Sequence, residues 1–171
     1  TDDGARRWLS DAWIWSEGCD FDPDGTRIYC AHQPRPDWSK TEVLVFAATD
    51  GALLTRVAVP TVTSSPQPEP WWGESLRVSP DGRFLAMTQA SSDLAEGRIL
   101  MFTLDAGVPT FANAIDSPAS DEVVFSAAGD AVYASQFAAG GLLRAQLGPA
   151  PASTWLGDGV LPLGAEAAGI D

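Results

Sequence analysis

The sequence predicts an all-β chain assembled from repeated four-stranded antiparallel units. Three observations carry this. A short phrase occurs three times along 171 residues, starting at Phe21, Val78 and Phe125. Each copy is followed by further short apolar runs with turn residues between them. Helical periodicity is absent throughout, while short alternating runs dominate.

The phrase reads Phe21-Asp22-Pro23-Asp24-Gly25-Thr26-Arg27-Ile28-Tyr29, then Val78-Ser79-Pro80-Asp81-Gly82-Arg83-Phe84-Leu85-Ala86, then the worn copy Phe125-Ser126-Ala127-Ala128-Gly129-Asp130-Ala131-Val132-Tyr133. Pro pre-sets φ near −65° at the second turn position, and Gly accepts the positive φ that strains any residue with a Cβ. A type I turn closed by a left-handed residue gives a three-residue hairpin with Gly at the bulge. Each Gly is therefore expected to join two antiparallel strands.

The rest of each unit follows the same plan. A third strand is expected at Glu42–Phe46 and Arg98–Leu104, a turn at Thr49-Asp50-Gly51 and Asp105-Ala106-Gly107, and a fourth strand at Leu53–Val59 and Pro109–Ile115. The third unit continues through Leu142–Leu147 and Ser153–Leu156. Spacings of about 50 residues and four short strands per unit match the blade of a β-propeller. The expected blades cover 12–59, 73–116 and 120–157, with a blade remnant at 1–11 and the start of another blade at 158–171.

The phrases at Asp22–Tyr29 and Ser79–Ala86 resemble the WD40-like repeat of TolB-type propellers. They are also similar to the repeats of the YVTN and lactonase-like propellers, whose blades end in a strand, an Asp-Gly turn and a strand, as Val43 to Val59 does. The resemblance covers roughly residues 12 to 157. It implies a propeller fold and leaves function open, because such repeats serve scaffolds, binding proteins and enzymes alike.

Closed propellers have about four to eight blades. Three blades and two remnants fit a segment of a longer propeller, or a ring completed by a partner or a second copy through unpaired blade edges. A closed four-bladed ring that borrows residues 5–9 into the last blade is a third arrangement.

Composition narrows the function classes. Net charge is −13, and Lys40 is the only lysine beside nine arginines. Phosphate contacts need a basic face, so a nucleic-acid partner is not expected. An acidic surface favours solubility and basic partners or cations. No run of 18 apolar residues occurs, so no membrane span is expected. Thr1 opens a polar segment without the pattern of a secretory leader, which a mature chain would already have lost.

Cys19 and Cys30 flank the first turn and are a disulfide candidate. A three-residue turn sets them diagonal or on opposite faces, against bridging, which needs Cα atoms within about 7 Å. A bridge would point to an oxidising, extracellular or periplasmic setting; two small buried hydrophobes are the alternative.

Asp20, Asp22 and Asp24 fit the Asp-x-Asp-x-Asp-Gly opening of several calcium loops, where spaced carboxylates suit a hard cation. The EF-hand pattern then requires Glu at a position held by Ala31, and Pro23 supports an ordinary hairpin. Calcium is thus the one cofactor candidate, set against a turn-only reading. His32 is the only histidine, and no Ser-His-Asp set, phosphate loop, Cys-x-x-Cys or Gly-x-Ser-x-Gly occurs. No catalytic residue is assigned.

Among seven tryptophans, Trp13 and Trp15 read as core or blade interface, while Trp38, Trp71 and Trp72 are expected on loops as candidate binding anchors. Trp71 and Trp72 end a Pro-rich connection, 60–70, read as a decorated loop. The expected function is a non-catalytic propeller that displays loops to a protein partner or forms part of a larger extracytoplasmic assembly. The alternative is a fragment of a lactonase-like or other hydrolytic propeller with its site at the central channel, where Asp20, Arg77 and Glu122 are the charged candidates.

Overall fold

The computed structural model describes residues 14–33, 40–60, 72–91, 97–117, 119–136, 141–147 and 152–155. The expected remnants 1–11 and 158–171 lie outside these residues. The described residues are all strand and turn, without helix.

Twelve strands form three antiparallel sheets of four. The first sheet holds β1 (Ile14–Phe21), β2 (Arg27–His32), β3 (Glu42–Ala47) and β4 (Leu53–Ala58) in chain order. The second holds β5 (Trp72–Val78), β6 (Phe84–Ala90), β7 (Gly97–Asp105) and β8 (Val108–Ser117). The third holds β9 (Ser120–Phe125), β10 (Ala131–Gln136), β11 (Leu142–Gln146) and β12 (Ala152–Trp155). The first strands are neighbours: β1 lies beside β5, and β5 beside β9. The sheets are therefore blades set side by side around the line of their innermost strands.

Strand alternation explains how the blades adhere. On β2 and β3 the residues Tyr29, Ala31, Val43 and Val45 point one way and meet Leu76, Leu85, Met87, Leu100 and Phe102 of the second blade. The opposite face of the second blade uses Ala86, Ile99 and Met101 to meet Val123, Val132, Ala134, Leu143 and Ala145 of the third. Both faces of the middle sheet are thus apolar, as a sheet covered on both sides requires. A third cluster, Cys30, Leu44 and Phe46 with Cys19 and Ile28, lies on the other face of the first blade.

The three phrases occupy equivalent places. Gly25, Gly82 and Gly129 have φ of 65°, 69° and 68°, and each donates its amide to the residue three back, Asp22, Ser79 or Ser126, at 2.9, 2.8 and 2.9 Å. The loop is one residue longer than expected. Its closing hydrogen bonds run Asp22 N to Arg27 O, Ser79 N to Phe84 O and Ser126 N to Ala131 O, which leaves four residues between the closing pairs. The first side chain of each turn accommodates the extra residue. Asp22 Oδ1 accepts the amides of Thr26 and Arg27 at 2.7 and 3.0 Å, Ser79 Oγ that of Phe84 at 2.9 Å, and Ser126 Oγ those of Asp130 and Ala131 at 3.2 and 3.1 Å.

That residue changes the pairing. Adding one residue to a hairpin loop shifts the register by one. Cys19 consequently faces Cys30 directly, with Cα atoms 4.1 Å apart, and the two are bridged. The diagonal placement expected from a three-residue turn is corrected by the longer loop.

The β7–β8 turn is tighter. Asp105 pairs with Val108 across only Ala106 and Gly107, whose φ values are 50° and 79°. Positive φ at both central positions is the type I′ geometry, which favours Asn-Gly. Ala106 is the one described non-Gly residue in the left-handed region, a conformation that costs roughly 1–2 kcal/mol for a residue with a Cβ. Ala106→Asn is expected to raise stability by up to about 1 kcal/mol, read as a higher denaturant midpoint with an unchanged slope.

Candidate functional site

Two regions gather polar chemistry: the innermost strands, and the row of turns at one end of the blades. An innermost strand is a sheet edge, so half its amides lack a partner within the sheet. The preceding blade supplies acceptors. Val78 N on β5 donates to Asp20 Oδ2 on β1 at 2.8 Å. Val123 N on β9 donates to Ser75 Oγ on β5 at 3.4 Å. Beside the second joint, Arg77 Nη2 meets Glu122 Oε1 at 2.8 Å. The three channel candidates Asp20, Arg77 and Glu122 therefore all make contacts between blades. Ser75 joins them without any sequence signal, because a lone serine becomes an acceptor only once the neighbouring blade is in place.

Asp20, Asp22 and Asp24 are not brought together. Asp20 turns toward the second blade, with Oδ1 also accepting its neighbour's amide at Phe21. Asp22 turns into its own loop, where Oδ2 accepts the Thr26 hydroxyl at 2.8 Å and lies 3.6 Å from Arg27 Nη1. Asp24 sits exposed at the tip of the turn. Among the described residues no group of three His, Cys, Asp or Glu side chains is arranged to share a cation. Trp38 and Trp71 lie outside the described residues. Trp72, expected on a loop, instead opens β5, where it pairs opposite Ala90, and its side chain also lies outside the described residues. His32 is buried within β2, opposite Glu42.

At the turn end the loops stack. Pro23 of the first blade lies against Gly82 of the second, its Cδ 3.3 Å from where a Cβ would stand. Asp81 of the second lies against Gly129 of the third in the same way, at 3.1 Å. Gly thus serves both the positive φ and the close approach of the preceding turn. The Tyr29 hydroxyl donates across the first joint to Gly107 O at 3.1 Å, and the Arg27 guanidinium lies over Gly107. A cleft of about 380 Å³ opens between these turns, lined by residues including Asp22, Asp24, Arg27, Tyr29, Asp81 and Leu104.

Three turn carboxylates, Asp22, Asp81 and Asp130, are shifted toward the ionised form. Burial pushes Asp22 up, but the amides of Arg27 and Thr26, the Thr26 hydroxyl and the Arg27 guanidinium together bring it below the ordinary value. Burial likewise opposes, and Ser79 and Arg83 overcome, in lowering Asp81. At Asp130 the Ser126 hydroxyl leads the lowering, followed by Gln146. A carboxyl lower in the folded chain than its unfolded value of about 3.9 stabilises the fold above that pH. The contribution is lost as pH falls through the lowered folded values. Thermal midpoints are accordingly expected to fall on acidification below about pH 4, and Asp22→Asn to flatten that fall; an identical acid limb in the variant would contradict the assignment.

The architecture has known counterparts among solved structures. A 6-phosphogluconolactonase-like protein of Bacteroides fragilis aligns over 81% of this chain and 36% of its own, with TM-score 0.62 and 17% identity. The periplasmic gluconolactonase of Pseudomonas aeruginosa aligns over 86% of this chain and 55% of its own, at 0.56 and 16%. The Cps50 (Swd1) β-propeller domain of Myceliophteria thermophila aligns over 76% of this chain and 39% of its own, at 0.53 and 14%. The fold is that of β-propeller blades. At these identities the likeness is one of fold alone, and the chain spans between about a third and just over half of each of these chains. No protein-family model matches the chain, and no curated protein matches it.

Proposed function

We propose that these blades belong to a non-catalytic propeller scaffold that displays its loops to a protein partner, or serves as one part of a larger extracytoplasmic assembly. The observation that carries this reading is the engagement of Asp20, Arg77 and Glu122. These three charged side chains of the innermost strands, where a propeller enzyme would hold substrate, hold neighbouring blades instead. The Cys19–Cys30 bridge supports an oxidising compartment. The acidic balance of 23 Asp and Glu against 10 Lys and Arg favours a partner with a basic surface.

A second reading is favoured by the gluconolactonase and gluconolactonase-like counterparts: a segment of a lactone hydrolase with its site at the central channel. One assay separates the two. Hydrolysis of glucono-lactone and 6-phosphoglucono-lactone by the purified chain is followed by proton release, with and without added calcium or magnesium. The scaffold reading predicts rates equal to the buffer blank. Turnover that saturates with substrate and falls in Asp20→Asn or Glu122→Gln would overturn it.

A further inference from the structure

We propose that the Cys19–Cys30 disulfide is a redox latch on the joint between the first and second blades. All three inner strands are irregularly paired to their own sheets, β5 between Gly73 and Leu76 and β9 across from the step between Ala134 and Gln136, but a disulfide is found only on β1. Its pairing with β2 is irregular between Ile14 and Cys19, and the continuous register covers only Cys19, Asp20 and Phe21 opposite Cys30, Tyr29 and Ile28. The bridge clamps the start of that short regular stretch. The next residue, Asp20, is the one whose carboxylate reaches across the joint to Val78 N. One covalent bond therefore positions both this short regular stretch of β1 and the side chain that fastens the neighbouring blade. The second joint offers an internal contrast. Val123 N is held by Ser75 Oγ and flanked by the Arg77–Glu122 pair, with no disulfide beside it.

The latch is opened by a dithiol reductant. Cys19 is half-buried and Cys30 buried, so the incoming thiolate meets the Cys19 sulfur more readily. It forms a mixed disulfide there, and Cys30 leaves as a thiolate that takes up a proton. The second thiol of the reductant then attacks the mixed disulfide and frees Cys19. Two electrons and two protons enter the protein, and the reductant leaves as a disulfide. With the clamp gone, β1 separates from β2 more often, and the Asp20 carboxylate moves away from Val78 N.

Amide hydrogen exchange tests this on the intact chain with and without dithiothreitol, after thiol titration shows two free thiols per reduced chain. Loss of the bridge lowers protection throughout by weakening the fold as a whole, so the informative quantity is the difference between the two joints. Protection at Val78 is expected to fall at least tenfold further than at Val123. In Asp20→Ala the extra loss at Val78 disappears, because that amide is uncapped in both redox states. Asp20→Asn, which keeps a side-chain oxygen, retains it. Equal losses at Val78 and Val123 would overturn the proposal, as would an undiminished extra loss in Asp20→Ala.

Discussion

Phe102→Ala is expected to lower the unfolding free energy by about 3–5 kcal/mol. Phe102 is fully buried on β7 and belongs to the cluster that joins the first two blades, with Tyr29, Val43 and Val45 in the same cluster on the opposite blade. Its ring meets Phe111 edge-on, with centroids 5.7 Å apart, an arrangement worth about 0.5–1.5 kcal/mol beyond burial. Truncation removes the ring and leaves a cavity walled by two sheets, each fixed by its own hydrogen bonds, so neither collapses easily into the gap. Equilibrium denaturation of the variant checks this. A loss under about 1 kcal/mol would mean that the two blades do not pack through this residue.

Removing the disulfide is expected to cost about 3 kcal/mol, because the bridge closes a loop between residues 11 apart in sequence. For a chain of this size that corresponds to a fall of roughly 10 °C in the thermal midpoint. The double variant Cys19→Ala/Cys30→Ala and the reduced wild type should behave alike. If the variant melts with the oxidised protein, the bridge contributes nothing to the fold.

The local structure was legible in the sequence wherever a single residue decides the backbone. The positive φ of Gly25, Gly82 and Gly129 follows from the turn phrases, and the four-strand units follow from the alternating runs. The register was not legible. It depends on side-chain oxygens of Asp22, Ser79 and Ser126 that cap amides beyond the turn, and a phrase ending in Gly reads the same with three or four loop residues. One residue of register then decides whether Cys19 meets Cys30.

Contacts between blades were hidden for a different reason. Asp20 and Val78 are 58 positions apart, and Arg77 and Glu122 are 45 apart. Nothing local marks them as partners, since each pair exists only after two sheets have folded and met. The strand pattern places Asp20, Arg77 and Glu122 on the innermost strands, but the same residues suit a substrate site and a joint. Only their hydrogen bonds favour the second use.

The central claim is that the three phrases take equivalent positions in neighbouring blades, each turn resting on the glycine of the next. The most direct test is a nuclear Overhauser experiment on the assigned chain. Pro23 Cδ lies 3.3 Å from the Cβ position of Gly82, so the account predicts a clear cross-peak between the Pro23 δ-protons and the Gly82 α-protons. With both residues assigned, its absence would contradict the arrangement of the blades.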